Sequence, residues 1–384
     1  MRVCFISFEY PPNILGGAGV YAEAIVNGLR RRGVDVFVIA RGSRNDYDQK
    51  TFTVQTSNVA YWRRIFFMKP AVSLLNKLNK VLKFDLVHFN EPHIMLGKLN
   101  FPTVCTMHST QVNEIMLKLA DSRNLKTAKD ITDLILKSPV GYIFDVFKVH
   151  AIDKIICPSP HLATLIESYC FVDKQKIRVI PNGVDLEALD EIKDYDADIL
   201  GRYDLERDNY VLFVGRLSVL KGVQYLIETF RNIKKDYAKL KLVIVGTGDF
   251  ENWLRKFACE TEDVVFTGYV ESPTVKKTLY ENSLALVVPS LYEGLPMVIL
   301  EAMANRKAVI ASDTGGIPLL VRHGKNGFLA KPEDSKTLER FIRILLEDAK
   351  LRTNMGLYGR RLMEKEFTID KMASETLNVY KLLV

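Results

Sequence analysis

The sequence predicts an α/β protein made of two doubly wound parallel-sheet domains in tandem. Three observations predict it. Short apolar, β-branched runs alternate with amphipathic helical stretches along the chain, the order that parallel sheets require. At 384 residues the chain exceeds what one ordinary core organises, so two domains of roughly 180 residues are expected. Several runs also end at turns rich in Gly, Pro and Ser, the kind of strand end at which open α/β sheets bind ligands.

The elements follow in order. Val3–Ser7 reads as the first strand, and Val20–Arg32 as a helix with Val20, Ala24, Ile25 and Leu29 on one face. Strands follow at Val34–Ala40, Leu86–Phe89, Thr103–Met107, Lys154–Cys157 and Lys176–Ile180, the last ending at the turn Pro181-Asn182-Gly183. The charged, tyrosine-bearing residues from Asp190 to Asn209 read as a linker. A second series runs through Tyr210–Val214, Lys241–Val245, Asp263–Thr267, Ala285–Val288 and Lys307–Ala311, with helices such as Val223–Lys235 between strands. This places one domain over residues 1–190 and another over 191–368, with a last helical stretch, 369–384, after the second series has closed.

Composition narrows the class. With 48% apolar and 26% charged residues the chain is globular in character, and no 18 uninterrupted apolar residues occur, so no spanning helix is expected. Met1–Ile6 reads as a strand and not as a leader, which favours a cytoplasmic location. Five cysteines, an odd number without C-x-x-C, suit buried thiols in a reducing compartment better than a disulfide framework. The net charge of +7 is uneven: residues 1–190 carry 24 Lys and Arg against 18 Asp and Glu, the remainder 29 against 28. Between Gln49 and Phe84 there is no acidic residue, yet Lys50, Arg63, Arg64, Lys69, Lys77, Lys80 and Lys83 are all present.

Four strand ends of the second series carry the chemistry. Ser290-Leu-Tyr-Glu293-Gly294-Leu295-Pro296 follows an apolar run and precedes Met-Val-Ile-Leu-Glu301, so one glutamate lies in a tight loop and the next in a helical segment. Two carboxylates placed this way suit a hydroxyl-rich ligand. Gly215-Arg216 and Lys221-Gly222 place a planar fork and a mobile point charge after another strand, a natural pair for a diphosphate. Gly246 and Gly248 end the next strand, and Gly268-Tyr269-Val270 the one after, where main chain could meet a base edge. The P-loop pattern G-x-x-x-x-G-K-[ST] is absent.

In the first domain, Gly16-Gly17-Ala18-Gly19 precedes a helix, where small residues let a phosphate or sugar approach backbone N–H groups. The spacing is not G-x-G-x-x-G, which argues against a nicotinamide cofactor. His108, just past a strand, suits a hydrogen-bond donor or proton handler. His88 and His93 flank another strand end, but no ligand spacing fixes a metal site there.

Taken together, Gly16-Gly17, Pro181-Asn182-Gly183-Val184-Asp185, Gly215-Arg216…Lys221-Gly222 and Glu293-Gly294-Leu295-Pro296…Glu301 resemble the retaining GT-B glycosyltransferases of family four (glycosyl transferases group 1), over essentially the whole length. The resemblance implies two Rossmann-like domains facing a deep cleft, with a nucleotide-diphosphate sugar bound mainly by the C-terminal one and the acceptor mainly by the N-terminal one. It implies that Arg216 and Lys221 hold the donor diphosphate, that Glu293 with the Gly294–Leu295 backbone meets the sugar, and that Glu301 takes the ribose. Gly16 and Gly17 would approach the phosphates, Gly246 and Val270 the nucleotide, and His108 the transferred sugar. The last helix would return to the N-terminal domain. Many relatives carry a charged residue after the first-loop glycines, where this chain reads Gly16-Gly17-Ala18-Gly19.

The expected reaction is transfer of a hexosyl group from a UDP-, GDP- or ADP-linked sugar to a glycan, lipid-linked or small-molecule hydroxyl, with no metal and no cofactor. Residues 50–83, where Trp62, Ile65, Phe66, Phe67 and Met68 interleave with cations, suit either a solvated helix packed by its apolar side or a surface for anionic lipid. The latter would place the protein peripherally on the inner face of a membrane. Nucleic acid is not an expected partner, since no reading module is present. An epimerase or phosphorylase of the same architecture, and a non-catalytic sugar-binding protein, remain alternatives.

Overall fold

Two all-parallel sheets organise the chain, one of seven strands and one of six. The computed structural model describes all residues except Leu15, 43–47, 56–62, 92–98 and 111–137, and the side chains of 63–65, 138–141 and 144–145 also lie outside the description. The compact units are Met1–Gly183 with Ile369–Val384, and Val184–Thr368.

The first sheet holds β1 (Arg2–Ser7), β2 (Asp35–Arg41), β3 (Thr51–Val54), β4 (Leu86–Asn90), β5 (Thr103–Thr106), β6 (Lys154–Cys157) and β7 (Ile177–Val179) in the order β3-β2-β1-β4-β5-β6-β7. Its central strands are largely apolar and buried because both faces are covered, whereas the edge strand β7 is exposed at Arg178 and Val179. Alternate residues point to opposite faces. Val3, Phe5, Val36, Leu86 and Val104 pack with Tyr21, Ile25 and Leu29 of the helix Gly17–Arg31. Cys4, Ile6, Val87, Phe89 and Cys105 pack instead with Phe67, Ala71 and Leu75 of the helix Arg63–Leu82 and with Leu162 and Ile166 of the helix Pro160–Cys170.

The chain's last helix, Ile369–Lys381, joins the first of these layers. A Cβ at Gly28 would lie 2.9 Å from Cβ of Ala373, so only a glycine lets the two helices approach this closely. Tyr380, fully buried, reaches His88 of β4.

The second sheet holds β8 (Tyr210–Val214), β9 (Lys241–Val245), β10 (Val264–Gly268), β11 (Ala285–Val288), β12 (Val309–Ser312) and β13 (Gly327–Ala330) in the order β10-β9-β8-β11-β12-β13. The helices Val223–Ile233 and Ser335–Glu347 pack on one face through Leu226, Phe230, Leu338 and Ile342. In both sheets the strand order reverses once, between β1 and β4 and between β8 and β11, and such a reversal is where a doubly wound sheet opens a ligand crevice.

Three expectations need correction. The stretch from Asp190 to Asn209 is no free linker: it contains the helix Ala197–Arg202, buries Ile199, Leu200 and Leu205, and ties Asp190 to Arg360 at 2.6 Å. The chain changes unit at Gly183–Val184, ahead of the expected division at residue 190. The edge strands β3 and β13 lie outside the strands expected above; β3 is half threonine and β13 opens on a glycine, so neither is a continuous apolar, β-branched run. No helix among the described residues is long and apolar enough to cross a membrane.

Candidate active site

In the second unit, β8 and β11 are hydrogen-bonded neighbours, so the loops that leave their carboxyl ends lie side by side. Gly215 and Arg216 follow β8, and a single 3-10 turn, Val219–Lys221, carries the chain to Gly222 and into the helix Val223–Ile233. Gly222 has φ +66°, and a Cβ there would stand 1.9 Å from the carbonyl oxygen of Pro289. The two loops therefore touch backbone to backbone, and the N–H of Leu291 donates to the carbonyl of Leu220 at 2.8 Å.

That contact brings a cation to a carboxylate. Lys221 Nζ donates to Glu293 Oε1 at 2.6 Å, and Ser290 Oγ donates to the same oxygen at 2.8 Å. Glu293 is only 9% exposed, and its other oxygen, Oε2, has no partner among the described residues. Its backbone is fixed from the far side. Gly316 N–H donates to the Glu293 carbonyl at 3.0 Å, and Gly315 (φ +56°) approaches that carbonyl so closely that a Cβ would lie 1.9 Å away. Arg216 is exposed and makes no side-chain hydrogen bond or ion pair among the described residues.

Gly294 and Leu295 lead into the helix Met297–Ala304, which starts at Pro296 without a side-chain cap; the N–H of Ile299 turns back to the Pro296 carbonyl at 3.2 Å. Glu301 lies on this helix and accepts from the Tyr280 hydroxyl through Oε2 at 2.9 Å. Burial and the neighbouring Glu301 push the Tyr280 phenol well above its ordinary pKa, so it stays a donor. Gly246 packs against the turn after β8, and its N–H is already given to the carbonyl of Gly268 at 2.8 Å. Val270 is half-buried beside the exposed Tyr269.

In the first unit, Gly16 is the extended N-cap of the helix that starts at Gly17, again with no side-chain cap. Beside it, Asn90 ends β4. Its Nδ2 donates to Ser7 Oγ at 2.9 Å and to the carbonyl of Ala18 at 3.0 Å, while its Oδ1 lies 2.8 Å from His108 Nε2. The His108 ring meets Tyr21 edge-on at 4.6 Å. Burial pulls the His108 pKa below its ordinary value, against an opposing pull from Glu91.

His88 is placed differently. It is fully buried, and both ring nitrogens are occupied, Nδ1 by Tyr380 OH at 2.5 Å and Nε2 by Thr106 Oγ1 at 2.9 Å. It is a core group and no metal ligand; His93 lies outside the described residues. Burial, helped by His108, lowers the His88 pKa to about 3.

The basic segment divides. Trp62 and the side chains of Arg63, Arg64 and Ile65 lie outside the described residues. Phe67 and Met68 belong to the core, Phe66 is half exposed, and Lys50 pairs with Asp35 at 2.6 Å. Sequence reasoning passed over Asn90, Ser290, Tyr280 and Tyr21. Ser290 and Asn90 had a usable signal, since each stands at a strand's carboxyl end; Tyr280 and Tyr21 had none.

Known proteins supply the context for these two sites. Residues 201–362 match the model of the glycosyl transferases group 1, and residues 15–188 that of glycosyltransferase family 4. An uncharacterized glycosyltransferase of Methanocaldococcus jannaschii is 27% identical over 404 residues, spanning 100% of this chain and 98% of its own. Sucrose-phosphate synthase from Thermosynechococcus elongatus shares the fold at a TM-score of 0.79 with 21% identity, over 100% of this chain and 99% of that one. Anabaena HepE in complex with UDP-glucose does so at 0.74 with 17% identity, over 100% of both chains.

Proposed function

The chain belongs to the group 1 glycosyl transferases of the GT-B fold, and from that premise we propose that it is a retaining, metal-independent hexosyltransferase using a nucleotide-diphosphate sugar. One observation carries the reading. The Lys221–Glu293 pair, with exposed Arg216 on the same loop, sets cations and a carboxylate at the strand-order reversal of one sheet. UDP-glucose, which Anabaena HepE binds, is the first donor to test.

The chemistry follows from charge. As the anomeric carbon–oxygen bond of the donor breaks, negative charge gathers on the departing diphosphate and positive charge on the sugar. Arg216 and Lys221 meet the former, and a fixed donor aimed at developing charge contributes about 3 kcal/mol to the barrier. Glu293 offers Oε2 to the sugar hydroxyls while Lys221 and Ser290 hold Oε1. Glu301, oriented by Tyr280, takes the ribose hydroxyls, the main chain at Gly294 and Leu295 lies along the sugar, and Val270 borders the base. In the first unit, the N–H of Gly17 suits a phosphate oxygen and His108 suits a sugar hydroxyl. Attack comes on the face that the diphosphate leaves: the acceptor oxygen bonds to the anomeric carbon and its proton passes to a phosphate oxygen. The acceptor is a glycan or lipid-linked hydroxyl, and the protein works in the cytoplasm, at a membrane surface where the acceptor is lipid-linked.

The test is release of nucleoside diphosphate from UDP-, GDP- and ADP-hexoses, with and without EDTA, and the anomeric configuration of the product by NMR. Failure of every donor, loss of turnover in EDTA, or an inverted product would each overturn the corresponding part.

A further inference from the structure

Resting on that reading for the place of His108 in the chemistry, we infer that Asn90 is a positioning residue: it holds His108 in the Nε2–H tautomer, so that Nδ1 is presented as a hydrogen-bond acceptor for a sugar hydroxyl. Asn90 is 4% exposed, and its amide hydrogens are both committed, one to Ser7 Oγ and one to the carbonyl of Ala18. Ser7 cannot reverse this arrangement, because its own hydroxyl donates to the carbonyl of Glu9 at 2.5 Å. The amide is therefore fixed in orientation, and only Oδ1 is left for His108.

A carbonyl oxygen accepts and never donates, so the hydrogen between Oδ1 and Nε2 belongs to the imidazole. Neutral imidazole with its proton on Nε2 carries a lone pair on Nδ1, and Nδ1 has no partner among the described residues. Tyr21 limits the ring's rotation by standing edge-on at 72° between planes, and is itself held by Thr106 at 2.8 Å. The titratable groups around the ring are Tyr21, whose phenol burial keeps neutral, and Glu91, which favours protonation of His108; burial opposes Glu91 and prevails, so His108 stays neutral at neutral pH.

Long-range proton–nitrogen correlation on protein labelled with ¹⁵N-histidine reads the tautomer directly, without substrate. Wild type should show His108 as a single Nε2–H form, and Asn90→Ala a mixture of tautomers. In transfer assays Asn90→Ala should lose about tenfold or more in kcat with the donor KM within about twofold. Asn90→Asp, which still accepts from Nε2, should keep the tautomer, recover much of kcat, and move the acid limb of the pH profile to higher pH. A wild-type Nδ1–H form, or an unchanged tautomer in Asn90→Ala, overturns the inference. So does equal impairment of both variants with an unmoved pH profile, which would trace the effect to the helix start at Ala18. Absence of transfer from every donor in the wild type would instead sink the functional reading, and the nitrogen spectra would still decide the tautomer.

Discussion

Lys221 and Glu293, 72 residues apart in the chain, meet at 2.6 Å because their loops leave neighbouring parallel strands. The pair is unequal. Lys221 is 26% exposed at the side chain and Glu293 10%, so each partner fares differently when the other is removed.

Glu293→Gln leaves a lysine that water can reach. It should lower kcat by about a hundredfold or more while moving the unfolding midpoint by only a few degrees. Lys221→Met leaves a nearly buried carboxylate with one hydrogen bond, from Ser290, and should cost about 1–3 kcal/mol of stability. Urea unfolding of both variants checks the asymmetry; equal destabilisation would contradict it.

Gly222→Ala should be worse for stability than either. The new Cβ would collide with the Pro289 carbonyl and the residue would sit at φ +66°, costing about 2–4 kcal/mol in combined strain. Thermal unfolding of the second unit measures this, and a neutral effect would mean the loops part easily.

Glu301→Ala separates affinity from turnover. With the proposed ribose contact removed, the donor KM should rise about tenfold while kcat stays within about twofold. Steady-state kinetics at saturating acceptor decides, and a matching fall in kcat would move Glu301 into the chemistry.

His88 makes the first unit sensitive to acid. Its folded pKa of about 3 lies below the ordinary histidine value of 6.5, so between these limits the unfolded chain binds a proton that the folded chain refuses. Its contribution is complete above pH 6.5 and declines as the pH falls toward 3, with a slope of at most about 1.4 kcal/mol per pH unit. Urea unfolding across the range of about pH 5 to 7 should be steeper in wild type than in His88→Gln. Identical slopes would show that His88 is solvated.

Tyr380 anchors the last helix to the core. Tyr380→Phe leaves His88 Nδ1 without its partner and should cost about 1–3 kcal/mol, whereas Tyr380→Ala adds a cavity and should cost about 3–5 kcal/mol. Chemical denaturation measures both, and a harmless Tyr380→Ala would mean that this helix is dispensable.

What the sequence made legible was local. Arg216, Lys221 and Glu293 stand past strand ends that apolar runs and glycines mark, and Glu301 on the helix that follows. The partners were not legible, because they come from elsewhere in the fold: Tyr280 lies 21 residues from Glu301, Asn90 lies 18 from His108, and Tyr380 lies 292 from His88. Strand order sets such pairings, and no local pattern encodes it. His88 could have been read correctly from parity. It shares parity with Leu86 on β4 and so faces the layer of the helix Gly17–Arg31, which the last helix also enters.

The return of Ile369–Lys381 to the first unit has a consequence for synthesis. Residues 184–368 form one uninterrupted unit that can fold as soon as it leaves the ribosome. The first unit, begun earlier, lacks an outer layer until the final helix emerges, roughly 10 to 40 s after β7 at ordinary elongation rates. In that interval the surface at Gly28 that Ile369 and Ala373 later cover stands open, and His88 has no tyrosine. The unit translated first is thus completed last, and the nascent chain is most vulnerable to aggregation and to chaperone capture along that one helix.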